Sequence, residues 1–320
     1  MRYIETLREG ERINEIYLCK NKQPSVTKAG KPFVSLTLQD KTGTLDAKIW
    51  DPGSNGINDF EKLDYLNVVG DVTSFQGALQ LNVKRVRKAQ PGEYDPKEYL
   101  PVSRYNTDKM YADLMELIGR TENTYLKQLS EGFFGDAKFQ EAFKFHSAAK
   151  TMHHGFVGGL LQHTLGVARI CEGFAKQYDI LNRDLLVTAA IFHDVGKLKE
   201  LSRFPENDYT DEGQLLGHII IGSQLLAERI AAIPGFPKKL EHELIHCILA
   251  HHGELEYGSP KKPAIAEAVA LSFADNMDAK MEAMEEAFAN VPEGNTDWLG
   301  FHRSFDSNIR KTSVAESRQL

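Results

Sequence analysis

The residues of this chain that could do chemistry gather in its second half. It carries eleven histidines, and all of them lie beyond residue 145. A single histidine on an apolar helical face is ordinarily a packed core residue, so the argument rests on a set. In the segment 159–176, Leu160, Val167, Ile170, Cys171 and Phe174 form an apolar stripe, and His163 falls on it at helical spacing. In 183–197, which reads as one helix, Leu186 and Ala190 lead to His193; Asp194 follows inside the apolar run 189–195, and Gly196 lets the helix end. The run Leu215, Ile219, Gly222 and Leu226 puts His218 on a buried face. In 238–252, Leu240, Leu244, Cys247 and Ile248 point the way to His251 and His252; from Ala264, Ala268 and Leu271 lead to Asp275. A buried carboxylate is costly unless it is paired or binds a metal. Five helices that each turn a His or Asp inward are better explained by a shared cation than by five separate coincidences. Imidazole plus carboxylate, without thiolate, suits Mn²⁺, Fe²⁺, Co²⁺ or Zn²⁺ better than Mg²⁺. No Ser/His/Asp or Cys/His set offers a covalent nucleophile.

The order His163, His193-Asp194, His218, His251-His252, Asp275, with H-D-V-G-K at 193–197, resembles the HD phosphohydrolase superfamily. The additional histidines resemble those of members that hold two metals. Carried over residue by residue, the resemblance implies that His163, His193, Asp194 and Asp275 hold one divalent ion. His218, His251 and His252 hold a second, with Asp194 bridging. Ions in such sites stand about 3.5–4 Å apart and lower the pKa of water from about 15.7 toward about 7. The hydroxide would attack phosphorus while the ions and Lys197 neutralise the phosphoryl oxygens. Asp194 and Lys197 are therefore the catalytic candidates, although Lys197 could instead cap a helix C-terminus. His153 or His154, before Gly155, either touches substrate phosphate or is exposed; His154 is carried as the substrate-binding candidate. Lys261 and Lys262, in a G-S-P-K-K-P loop, could meet a nucleic-acid backbone. Asp278, one turn past Asp275, either orients a ligand histidine or is a surface charge. His242 and His246 lie off the apolar stripe and read as surface; His146 and His302 receive no role.

The elements that must position these groups divide the chain in two. Residues 1–90 read as five strands. Ile13, Ile16 and Leu18 open the first, and Phe33 to Leu38 form the second. After the turn Asp40-Lys41-Thr42-Gly43 come Leu45, Ala47 and Ile49; residues 56–63 are a short helix or loop; Tyr65 to Phe75 and Leu79 to Val86 make a hairpin around Gln76-Gly77. That is the order of an OB-fold barrel, a fold that binds single strands by stacking and by tracking phosphates. Phe33, Trp50 and Phe75, with Tyr17 and Tyr65, are each either barrel core or stacking platform. Lys31 and Lys48 lead the basic candidates, with Lys28, Lys84, Arg85 and Arg87 beside them. Residues 91–150, opening on Pro91, Gly92, Pro96 and Pro101, read as a linker and connecting helices, and 151–320 as the helical metal domain. The fold class is thus multidomain, an all-β OB-fold barrel followed by an all-α HD-superfamily domain.

Composition agrees with this division. The net charge of −7 does not suggest a nucleic-acid binder, but residues 1–90 carry +3 and the remainder −10. The acidic part suits a metal site or simply a solvated surface. Three scattered cysteines argue against a disulfide framework and for a reducing cytoplasm. No apolar run approaches a membrane span. With H-H-G-F-V-G-G-L-L-Q-H-T at 153–164 and L-S-F-A-D-N-M-D-A-K at 271–280, nearly the whole chain looks like the YhaM-type 3′–5′ exoribonucleases. That likeness implies release of nucleoside 5′-monophosphates from single-stranded RNA 3′ ends, with Mn²⁺ as cofactor; single-stranded DNA is a further candidate ligand, and a homo-oligomer is expected. The rivals are an HD phosphohydrolase of nucleotides or cyclic dinucleotides, and a nucleic-acid-binding regulator without catalysis.

Overall fold

In a computed structural model, which describes residues 1–75, 77–150, 155–289, 291 and 297–312, the chain forms two compact units. The first comprises Met1–Val102 with Arg203–Glu206, the second Ser103–Ser202 with Asn207–Leu320.

Five strands, β1 (Arg12–Val26), β2 (Pro32–Asp40), β3 (Gly43–Ile49), β4 (Tyr65–Phe75) and β5 (Ala78–Lys88), close into a barrel in the order β1-β2-β3-β5-β4. Only β3 and β5 run parallel; the other pairings are antiparallel. Alternation decides which face is inside: Leu45, Ala47 and Ile49 are buried, whereas Asp46 is exposed. The Asp40 carboxylate fixes the tight β2–β3 turn by accepting from the amides of Thr42 at 2.7 Å and Ile4 at 2.7 Å. Residues 56–63 take the loop alternative; Ile57 bridges to Val86 and Phe60 packs into the barrel core at 5% exposure. Residues 91–102, read as linker, belong to the barrel unit: Tyr94 stacks on Tyr65 at 3.9 Å and Gln39 Nε2 donates to Tyr99 O at 3.0 Å. Gln76 of the β4–β5 turn lies outside the described residues.

The second unit is helical: α1 (Thr107–Gly119), α2 (Thr124–Phe134), α3 (Ala137–Phe145), α4 (Gly159–Gln177), α5 (Arg183–Phe192), α6 (Lys197–Glu200), α7 (Asp211–Ala231), α8 (Lys238–Ala250) and α9 (Ala266–Ala289), followed by a small hairpin, β6 (Trp298–His302) and β7 (Ser307–Arg310). Side chains of Asn106, Asn123, Asp136, Asn182 and Thr210 cap the starts of α1, α2, α3, α5 and α7. Every residue of α5 from Leu185 to Phe192 is buried, the pattern of a helix enclosed on all sides. It ends earlier than the sequence suggests. The amide of Val195 bonds back to Phe192 O and that of Lys197 to Asp194 O, so the His193-Asp194 pair sits in tight turns between α5 and α6. α7 is broken at Gly217, whose φ of 72° and ψ of 157° are open to glycine. The break sends Leu215 into solvent at 82% exposure, against the expectation of an inward run, while Ile219, Gly222 and Leu226 beyond it are buried. Among the described residues no helix is long and apolar enough to cross a membrane.

Candidate metal centre

Five helices and the turns that end them bring the seven predicted ligands together. His163 comes from the second turn of α4, His193 and Asp194 from the turn after α5, and His218 from just past the α7 break. His251 and His252 follow α8, and Asp275 lies in α9. Ligand atoms of His163, His193 and Asp275 all lie within 4.8 Å of one another, and so do those of His218, His251 and His252. Asp194 stands between the two groups. Its Oδ2 is 3.4 Å from both His163 Nε2 and His193 Nε2; its Oδ1 is 3.4 Å from His218 Nε2 and 3.8 Å from His251 Nε2. One carboxylate thus offers one oxygen to each group.

The rings are fixed by their outer nitrogens. Nδ1 of His193 lies 2.7 Å from Ala190 O, that of His251 2.7 Å from Ile248 O, and that of His252 2.8 Å from Tyr257 O. A carbonyl can only accept, so each Nδ1 carries the proton and each Nε2 turns a lone pair inward. His163 Nδ1 meets Asp278 Oδ2 at 2.7 Å and His218 Nδ1 meets Glu200 Oε1 at 3.0 Å, to the same effect. Asp278 therefore orients a histidine and is not a plain surface charge. Glu200, which also accepts from the amide of His218 at 2.9 Å, was not singled out in the sequence. Its only signal there is its place three residues past Lys197.

The donor set fits cations. Asp194 Oδ1, His218 Nε2 and His251 Nε2 are buried without a hydrogen-bond partner among the described residues, a costly arrangement for atoms that nothing is to bind. His163 and His193 bring their Nε2 atoms to 3.1 Å of each other, where two lone pairs repel unless positive charge lies between them. Burial, and then His252, hold His251 well below the ordinary histidine pKa, which keeps it a neutral donor. Burial works against the charge of Asp194, but Lys197 and His193 hold its carboxyl well below the usual range. His163 goes the other way: burial disfavours its charge, yet Asp275 and Asp278 on either side raise it to about 10. The same two carboxylates would draw in a metal ion, and a proton and a metal are alternatives at that Nε2.

Lys197 opens α6 with its Nζ 2.6 Å from Asp194 Oδ2. It stands at a helix start, which removes the C-capping alternative. Lys262 pairs with Glu254 at 2.6 Å and Lys261 is exposed; His153 and His154 lie outside the described residues. His246, expected to be a surface residue, accepts from the amide of Ala264 at 2.9 Å. His146, given no role, is buried with its ring nitrogens on Ser147 O and Leu201 O, a structural histidine.

On the barrel, Phe33 and Trp50 lie with ring centroids 5.1 Å apart, Trp50 half exposed at 51% and Phe75 at 60%. Lys48 lies over Phe33 with its Nζ 5.8 Å from the ring centroid and 2.6 Å from Ser35 Oγ; Lys31 is exposed. The alternative that these rings fill the core holds for Tyr17, fully buried with its hydroxyl donating to Arg2 O, and fails for Trp50 and Phe75.

Residues 160–280 match the HD domain family, a span that contains all seven converging residues. The 3′–5′ exoribonuclease YhaM of Bacillus velezensis is 34% identical over 288 residues, covering 89% of this chain and 90% of that protein. The 3′–5′ exoribonuclease YhaM of Bacillus subtilis gives the same identity and coverage. Among solved structures, the second OB-fold domain of replication protein A from Methanococcus maripaludis aligns with 29% of this chain and 98% of that one, at 19% identity and a TM-score of 0.23. The barrel's assignment rests on its own strand order. A likeness that runs through barrel and helices alike, with the His/Asp groups inside its HD domain, places the chain in the YhaM family of HD-domain 3′–5′ exoribonucleases.

Proposed function

We propose that this protein degrades single-stranded RNA from the 3′ end to nucleoside 5′-monophosphates, using two divalent ions, Mn²⁺ foremost. The observation that carries the reading is the convergence of four inward-turned imidazoles on the two oxygens of Asp194, with His252 beside His218 and His251 in the second group. It stands on a chain whose relatives are named as exoribonucleases. His163, His193, Asp194 and Asp275 would hold one ion, and His218, His251 and His252 with Asp194 the other. When bound, such ions activate water and neutralise charge on a phosphoryl group. The protein's part is orientation. Nδ1 hydrogen bonds lock the rings before substrate arrives, so little reorganisation remains at the moment of reaction. Lys197 brings an ammonium to the same carboxylate and is in place to meet a non-bridging phosphoryl oxygen. Phe33, Trp50 and Phe75 give the barrel surfaces on which bases stack without regard to sequence, and Lys31 and Lys48 supply charge for the backbone. The three cysteines are free and buried, which suits action in a reducing cytoplasm.

The test is the full-length protein with 5′-labelled single-stranded RNA and DNA of equal sequence, with Mn²⁺ or chelator added. Labelled RNA shortening progressively from its 3′ end, with mononucleotide products, is expected in Mn²⁺ and not in chelator. Cleavage of cyclic dinucleotides with oligonucleotides left intact would replace this reading with that of a small-molecule phosphohydrolase.

A further inference from the structure

Two of the five inward-turned histidines are anchored differently from the rest. His193, His251 and His252 hang from backbone carbonyls, which no side-chain substitution removes. His163 hangs from Asp278 and His218 from Glu200, one in each group. We infer that Asp278 and Glu200 are separate positioning residues for the two metal positions, so that each position can be weakened on its own.

The geometry on each side supports this division. Asp275 and Asp278 are one turn apart on α9, and they grip the His163 ring from both ends, with Asp275 Oδ1 3.1 Å from Nε2 and Asp278 Oδ2 2.7 Å from Nδ1. The Asp278 carboxylate reaches the ring only because α4 carries glycine one turn past His163. A Cβ on Gly166 would lie 2.0 Å from Asp278 Oδ1 and 2.8 Å from its Cγ. On the other side, Glu200 Oε1 takes both the amide and the ring of His218, fixing the first residue past the α7 break in backbone and side chain together. Asp278 meets the ring of His163 and Glu200 that of His218, and Asp194 reaches both groups. Carboxylates that hydrogen-bond a ligand histidine typically affect metal affinity by about 10–100-fold.

The inference rests on the two-metal reading and not on the RNA substrate, so its test is metal binding. Full-length protein stripped with chelator would be titrated with Mn²⁺ alone, followed by calorimetry and by the magnetic signature of a coupled Mn²⁺ pair, with circular dichroism to check folding. Wild type should take up two ions. Asp278→Ala and Glu200→Ala should each weaken one binding step by roughly 10–100-fold, change the other much less, and lose the coupled-pair signal. The two variants together should weaken both steps. Gly166→Ala, which leaves every ligand and both carboxylates in the sequence, should reproduce Asp278→Ala. The inference is overturned if folded single variants weaken both steps equally or neither, or if Gly166→Ala binds as wild type does. Wild type binding a single ion would instead sink the two-metal reading beneath it.

Discussion

Asp194 is the residue on which both groups depend, with one oxygen toward each and less than a tenth of its surface exposed. Asp194→Ala is expected to abolish hydrolysis and to lower metal content at both positions, while RNA binding persists in part through the barrel. Atomic-absorption metal content and filter binding would separate the two effects. Neighbouring histidines should divide sharply. His251→Ala and His252→Ala should each lose metal, because their Nε2 atoms face the second group. His246→Ala should keep metal and cost about 1 kcal/mol of stability, the typical worth of the hydrogen bond it makes to Ala264. Equal metal loss in all three would mean that the end of α8 has been turned the wrong way. On the barrel, Trp50→Ala should weaken oligonucleotide affinity by about 1–3 kcal/mol for each base stacked there, with metal content unchanged. Fluorescence anisotropy with a labelled strand would read it.

Helix junctions explain why the site needs particular elements as well as particular ligands. The turn after α5 runs against α7 so closely that a Cβ on Gly196 would sit 2.0 Å from His218 O and 2.7 Å from the Gly222 amide. The glycine in H-D-V-G-K thus serves the approach of the Asp194 turn to the His218 segment; it ends no helix, since α5 stops at Phe192 and Gly196 precedes α6. Gly196→Ala is therefore expected to push the two elements apart, lowering the affinity of the metal position that includes His218 and destabilising the unit. Mn²⁺ titration and a urea melt on the same preparation would check both. In the barrel the corresponding demand is packing. Leu81 on β5 has no exposed surface, and Leu81→Ala should cost about 2–5 kcal/mol through lost burial and the cavity left behind. Metal binding in the helical unit should be unaffected by that change.

At the scale of the whole molecule, the proposed division of labour is between an aromatic-bearing barrel, mildly basic over residues 1–90, and an acidic helical unit that holds all seven proposed ligands. Net charge hides this, because −7 is the sum of a slightly positive region and a strongly negative one. Long strands should be bound mainly by the barrel's surface, and such binding weakens with salt as counterions are released, by about 0.7 in the logarithmic slope per single-strand phosphate contact. Lys31→Ala with Lys48→Ala in the full chain is expected to flatten the salt dependence of RNA binding by about 1.4 and to leave cleavage of a dinucleotide unchanged. An unaltered slope would remove these lysines from the interface and shift weight to Lys84, Arg85 and the loop at Lys261.

Periodicity is a local property, and what depended on it was legible in the sequence. Strand alternation marked the barrel, the inward positions at His163, His193, His251 and Asp275 followed from helical spacing and that of Asp194 from the apolar run around it, and Asp278 was a candidate by its place one turn from Asp275. The partner that a side chain finds is set by elements far away along the chain. His163 meets a carboxylate 115 residues on, and His246 an amide 18 residues on. No window of sequence contains both ends of such a bond, so the ring orientations, the part played by Glu200 and the structural use of His246 and His146 appeared only in the folded chain. The same holds where a single backbone angle redirects an element. Leu215 has the sequence of a buried position and is exposed because Gly217 breaks α7 behind it. Phe75 and Trp50 have the composition of a barrel core and lie outside it, because closure of the sheet is what decides which side of a strand end faces in. The sequence by itself determined which residues would be brought together; tertiary structure decided which atom of each would face the others, since hydrogen bonds between distant elements fix the rings.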